Sequence, residues 1–311
     1  MLEPAVIVLR LIQYGAAMIL CGSSLFLINA LPASGPASGA VQGWPRRALA
    51  WSAGLAAVAA LLGLLAQTCV LAGSVAVGMT FDSLSAVMTS MALGPSSLVR
   101  GVVALAALMM IAILKPGRRL WFVCAVLGAV ACGSFAWMGH GAASHGPAGW
   151  LHTAADIAHL LAAAVWIGAL AMFLGLLVSP SARADSGRDE VLHRALAGFS
   201  GLGSAVVAVL LLSGLVNSWF LVGPSRLSGL WSTPYGVLLV LKVLLFGAML
   251  IFAALNRYRL TPALAQALQG DGDCEGALTA LRRSLILETV AGLAILGLVA
   301  WLGTLAPIAE V

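Results

Sequence analysis

HTAADIAHLLAAAVWIGALAMFLGLLV, residues 152–178, decides the fold. From Leu160 onward the stretch holds no ionisable side chain. As a helix rising about 1.5 Å per residue it would reach roughly 40 Å, more than the ~30 Å hydrocarbon core of a bilayer. Similar runs recur along all 311 residues, of which 61% are hydrophobic and only 9% charged. Soluble domains hold about 45–50% apolar and about 25% charged residues. Sixteen basic and eleven acidic side chains are too few to solvate a globule of this length. The reading is an all-α, polytopic membrane helix bundle.

Apolar runs between polar breaks predict eight transmembrane spans, at 6–30, 49–70, 98–114, 120–138, 152–178, 196–221, 235–255 and 284–304. The connection 73–97 is too polar to cross and apolar enough to lie on the membrane surface, with Gly94-Pro95 breaking it before the third span. The chain divides into a four-helix half at 1–138 and a second at 139–311. The N-terminus does not read as a cleavable signal, because Glu3 replaces a basic flank and the first apolar run is too long. Cys21, Cys69, Cys124 and Cys132 sit in apolar runs, Cys274 sits in a polar loop, and no CxxC pair exists, so neither a disulfide framework nor a zinc knuckle is expected.

The basic residues set the orientation. Arg46, Arg47, Lys115, Arg118, Arg119, Arg183, Arg188, Arg194, Arg257, Arg259, Arg282 and Arg283 all fall in odd-numbered loops, and only Arg100 and Arg226 fall in even-numbered ones. The positive-inside rule then puts the odd loops in the cytoplasm and both termini outside, in the periplasm of a bacterium. The net charge of +5 therefore reports on orientation in lipid, and no soluble basic face exists for nucleic acid.

Four of the five histidines, His140, His145, His152 and His159, lie within twenty residues of one another at the expected periplasmic mouth. On the fifth span, 152, 156 and 159 are spaced i, i+4, i+7, so His152, Asp156 and His159 share one stripe, which continues through Ala163 to Trp166. Imidazole and carboxylate suit divalent copper and zinc alike. An Asp beside a ligating His also serves to orient the ring. The bland reading is a set of interfacial capping residues. Polar groups inside the other spans point to the same mouth: Arg10, Asn217 and Lys242 fall in the outer leaflet, where Lys242 could pair with Asp156. Met138 and the loop methionines Met79, Met88 and Met91 would add soft ligands for monovalent copper. Glu288 alone marks the inner leaflet, with Asn256, Arg257 and Arg283 at hand to pair with it.

In combination these segments resemble the copper-resistance D (CopD) family. The resemblance is carried by WMGHGAASHG (137–146), HTAADIAHLLAAAVWIGAL (152–170), FSGLGSAVVAVLLLSGLVNSWFLVG (199–223), TPYGVLLVLKVLLFGAMLIFAALNRYRLTP (233–262) and LRRSLILETVAGLAILGLVAWLGTLAP (281–307). It implies an inner-membrane copper homeostasis protein of eight spans that works beside a small periplasmic copper-binding protein of the CopC type. The matching positions are His140, His152, Asp156, His159, Trp166, Asn217, Tyr235, Gly236, Lys242, Asn256, Arg257 and Glu288.

The function expected is copper transport, with Cu(I) or Cu(II) as substrate received at His140, His145, His152, Asp156 and His159. No GxxxxGK[ST] motif supports direct ATP-driven pumping, and neither GxSxG nor HExxH suggests an enzyme. Two alternatives stand beside it: a b-type cytochrome-like electron-transfer protein, and a docking protein for a periplasmic copper chaperone.

Overall fold

The computed structural model describes residues 3–29, 43–138, 146–178, 188–270 and 272–310. Among the described residues, eight helices are long and apolar enough to cross a membrane. They are α1 (Glu3–Asn29), α2 (Gly43–Leu71), α5 (Leu93–Ile113), α6 (Arg118–Gly133), α7 (Pro147–Val178), α8 (Arg188–Val222), α10 (Pro234–Leu255) and α12 (Cys274–Leu302). The connection between α2 and α5 folds into two short helices, α3 (Val75–Gly78) and α4 (Phe81–Ser90), whose first turns are capped by Ser74 and Thr80. A further turn, α9 (Gly229–Ser232), precedes α10. After α10 a π-helical turn, Asn256–Leu260, leads into α11 (Thr261–Leu268).

The observed helices begin earlier than the apolar runs alone indicate, because their polar first turns are themselves helical. α10 starts at Pro234, where the Thr233 hydroxyl accepts from the Gly236 N–H at 3.0 Å. α12 starts ten residues ahead of its apolar run, capped by Asp273, whose Oδ1 accepts from the Gly276 N–H at 3.0 Å. At the bundle end formed by the α1 N-terminus, Trp137, Trp150, Trp219, Trp231 and Trp301 are all exposed. That placement matches an aromatic belt at a membrane–water interface.

α1 is the hub, packing on α2, α6, α7 and α12. Its neighbours approach so closely because the contact positions are glycines. A Cβ on Gly22 would collide with the Ala164 carbonyl of α7, and one on Gly168 would collide with the Gly22–Ser23 backbone. Ser23 Oγ donates to the Gly168 carbonyl at this crossing, at 3.1 Å. On the other side a Cβ on Gly128 of α6 would lie 2.6 Å from the Cys21 nitrogen. Small residues of this kind let membrane helices gain dispersion contacts where lipid gives no hydrophobic drive to associate.

α8 rests on α7, and α10 rests on α12. Between α8 and α10 a groove remains, floored by α7 and α12. Arg10, expected in an outer polar pocket, is engaged elsewhere. It donates to the Gly303 carbonyl just past α12 and to Gln67 Oε1 at 3.4 Å. The reason is local, since the carbonyls left free at a helix C-terminus attract a cation. Gly168→Ala and Gly22→Ala should each lower stability by about 1–3 kcal/mol through overpacking. Gly15→Ala, whose added methyl meets nothing within 4 Å, should be neutral or stabilise by about 0.5–1 kcal/mol. Thermal unfolding in detergent compares the three.

Candidate metal centre

α7 presents two unlike faces. Gly168, in backbone contact with α1, lies nine residues from His159, a rotation of roughly 180° around the helix. The opposite face therefore looks into α8, and residue pairs recur down that antiparallel contact. The His152 ring stacks on Phe220 with centroids 4.7 Å apart. Asn217 Nδ2 donates to Asp156 Oδ1 at 3.3 Å. His159 Nδ1 lies 3.0 Å from Ser213 Oγ, and deeper still Phe173 meets Phe199 edge to face. The stripe read from the sequence is thus a single face of α7 turned toward α8, and its inner end, at Trp166, reaches the groove between α8 and α10.

The His159 contact fits one tautomer. Ser213 commits its own hydroxyl hydrogen to the Val209 carbonyl, 2.5 Å away, so its oxygen is the acceptor for His159 Nδ1–H. In the tautomer with the proton on Nδ1, Nε2 keeps the lone pair with which a histidine binds a metal. Lys242 of α10 acts electrostatically on both Asp156 and His159.

His140 and His145 lie outside the described residues. Among the described residues no three His, Cys, Asp or Glu side chains converge on one point, so His152, Asp156 and His159 share a face without forming a closed metal shell. Met138 is engaged by Arg100, whose Nη2 donates to its sulfur. Arg100 is 3% exposed, bonds Ser97 and Ser134, and lies 4.5 Å over the Phe135 ring. Its role there is to tie α5 to the end of α6.

Trp166 continues the stripe fourteen residues past His152, roughly 21 Å along the axis. Its indole Nε1 donates to Glu288 Oε1 at 2.8 Å, and Asn256 Nδ2 donates to Glu288 Oε2 at 2.8 Å. Of the partners expected for Glu288, Asn256 is present. Arg257 instead donates to the Ser200 carbonyl at 3.1 Å and to Ser204 Oγ. The partner that sequence reasoning missed is Trp166, and only its position in phase with His152 and His159 hinted at it. Beside the carboxylate lies a cavity of about 620 Å³, walled by Trp166, Phe173 and Phe199 and bordered by Arg257.

Two family models match the chain. Copper resistance protein D-like, N-terminal domain, covers residues 1–150, and Copper resistance protein D covers residues 193–302. The copper resistance protein D of Pseudomonas syringae pv. tomato is 36% identical over 312 residues, covering 98% of this chain and 97% of the relative. The chain belongs to the copper resistance protein D family. It is also similar to the inner membrane protein YebZ of Escherichia coli (strain K12), at 32% identity over 130 residues, or 42% of each chain. No solved structure matches it. The α7 stripe falls between the two family-model segments, within the reach of the Pseudomonas relative.

Membership of a copper resistance family assigns the chain to copper homeostasis, and its eight long apolar helices fit a multi-pass membrane protein. Trp166→Phe removes one of the two donors to a buried carboxylate and should cost about 1–3 kcal/mol. Adding Glu288→Met to that variant should recover part of the loss, because the charge left short of partners is then gone. Unfolding of the two variants in detergent measures both effects.

Proposed function

We propose that this chain moves copper across the bacterial inner membrane, receiving it at the outer end of the α7 stripe. The observation that supports the reading is the α7 face with His152, Asp156 and His159 in line, where a His159 that donates from Nδ1 to Ser213 keeps Nε2 for the metal. Asp156 supplies negative charge, held by Asn217 and balanced by Lys242. His140 and His145 complete the ligand set in this reading, from the segment between α6 and α7. Further along α7, from Trp166 inward, the groove between α8 and α10 gives an ion somewhere to go.

Orientation follows from charge. The end of the bundle that carries Arg46, Arg47, Lys115, Arg118, Arg119, Arg194, Arg282 and Arg283 faces the cytoplasm, so the His152 end faces the periplasm. Copper then arrives from a separate periplasmic carrier of the CopC type. Copper is preferred to zinc on the strength of the relatives' names, since the ligand types serve both metals.

His152→Ala, His159→Ala or Asp156→Ala should each reduce copper accumulation in cells that express the protein normally. Unchanged accumulation in all three would contradict the proposal. Ser213→Ala leaves every proposed ligand in place yet frees the His159 ring, and should weaken copper binding by about 10–100-fold. Copper titration of the purified protein reads that change.

A further inference from the structure

The groove between α8 and α10 has different chemistry from the outer end of the α7 stripe. Glu288 is 4% exposed, at membrane depth, on the wall of the 620 Å³ cavity. Its two oxygens each accept one neutral N–H, from Trp166 and Asn256. Among the described residues no guanidinium pairs with it: Arg257, in the same cavity, is spent on Ser200 and Ser204, while Arg259 and Arg283 line a separate cavity on the far side of α12. A carboxylate without a fixed cation inside a membrane marks a place where a mobile cation binds and leaves.

The donor set says which cation. No His, Cys or Met lines this cavity, so it offers copper neither imidazole nor sulfur. The oxygen still to be used near the carboxylate is Asn256 Oδ1, which is buried without a hydrogen-bond partner. Asn256 opens the π-helical turn, a local widening of the helix that recurs at functional sites. An amide has a donor and an acceptor on one planar group and can present either after rotation about its last bond. In the charged state Asn256 Nδ2–H bonds Oε2, as observed. In the neutral state the new Oε2–H bond donates to Asn256 Oδ1, so one residue serves both protonation states.

We propose that Glu288 is a proton-binding site, loaded from and discharged to the Arg257-bordered cavity, with Asn256 as its two-state partner. A proton from cavity water adds to Oε2 and is later returned to water. No other bond changes. Trp166 joins this site to the stripe that carries His152, Asp156 and His159, so proton occupancy and the outer end of the stripe act on one helix. The charged and titratable groups facing Glu288 are few. Arg257 and Tyr258 come from the π-helical turn, α7, α8, α10 and α11 bring none to the cavity, and α1 carries no acidic or basic residue after Arg10. The coupling of this proton to copper rests on the transport reading above; the proton site itself does not.

Infrared difference titration of the purified protein tests the site without copper. A protonated-carboxyl C=O band that titrates should be present in the wild type, absent in Glu288→Gln, and altered in titration by Asn256→Leu, which cannot offer either hydrogen bond. A band set identical in wild type and Glu288→Gln overturns the proposal. In proteoliposomes, wild-type copper flux should change several-fold with an imposed pH gradient. Glu288→Gln should lose that dependence while its equilibrium copper binding stays at the wild-type level. Flux that follows a sodium gradient in place of a pH gradient overturns the assignment of the proton. A wild type that moves no copper under any gradient, yet keeps the Glu288 band, overturns the transport reading and leaves the proton site standing.

Discussion

The backbone contact between α1 and α7 at Gly22, Ala164 and Gly168 is the constraint on which the rest depends. With no side chain between them, the two helices lock in rotation as well as distance. Rotation is what matters for function, because α7 is polar on the side away from that contact. Were α7 free to turn by a quarter, His152 and Asp156 would meet lipid, where a charged or strongly polar group is costly. α1 is held in turn by the close approach of Gly128 to Cys21, by Gln13 donating to the Ala59 carbonyl at 2.9 Å, and by Arg10 at the end of α12. The hub is rigid so that one face of one neighbour can be polar.

α7 then separates two chemistries along its length. At the end of the Trp belt the stripe offers imidazole and a carboxylate beside Lys242. At the other end it offers an indole N–H to a carboxylate in a cavity of oxygen donors and aromatic rings. The two lie on the same floor because α7 keeps its phase from His152 to Phe173. α8 follows it residue by residue, from Phe220 down to Phe199. The buried arginines do not join this groove. Arg10 and Arg100 tie helix ends, bonding a carbonyl, an amide oxygen, hydroxyls and a thioether, which makes them structural members of the α1 side of the bundle.

Much of this was legible in the sequence. Eight spans and the common face of His152, Asp156, His159 and Trp166 follow from hydropathy and the 3.6-residue period, whereas the third span begins at Leu93, so that Gly94-Pro95 lies in its first turn and does not break the chain before it. Helix ends were less legible, because Gly43–Ala48 and Cys274–Arg283 are polar by composition and helical by capping or by continuity with the span. Partners across the bundle were least legible. Lys242 could be matched with Asp156 by depth alone, but the Trp166–Glu288 bond joins residues 122 apart and depends on the rotation of two helices. Nothing in NRYRL (256–260) announces a π-helical turn, and without it Arg257 looks like the natural partner for Glu288. Hydropathy gives depth and period gives face; neither gives the rotation of one helix against another.

The most direct test of the α7 stripe as a copper site is X-ray absorption at the copper edge of the copper-loaded wild-type protein, compared with the His152→Ala/His159→Ala double variant. The account predicts nitrogen scattering with an imidazole signature in the wild type, reduced or lost in the variant. A copper shell made of sulfur alone, unchanged by the double substitution, would contradict it.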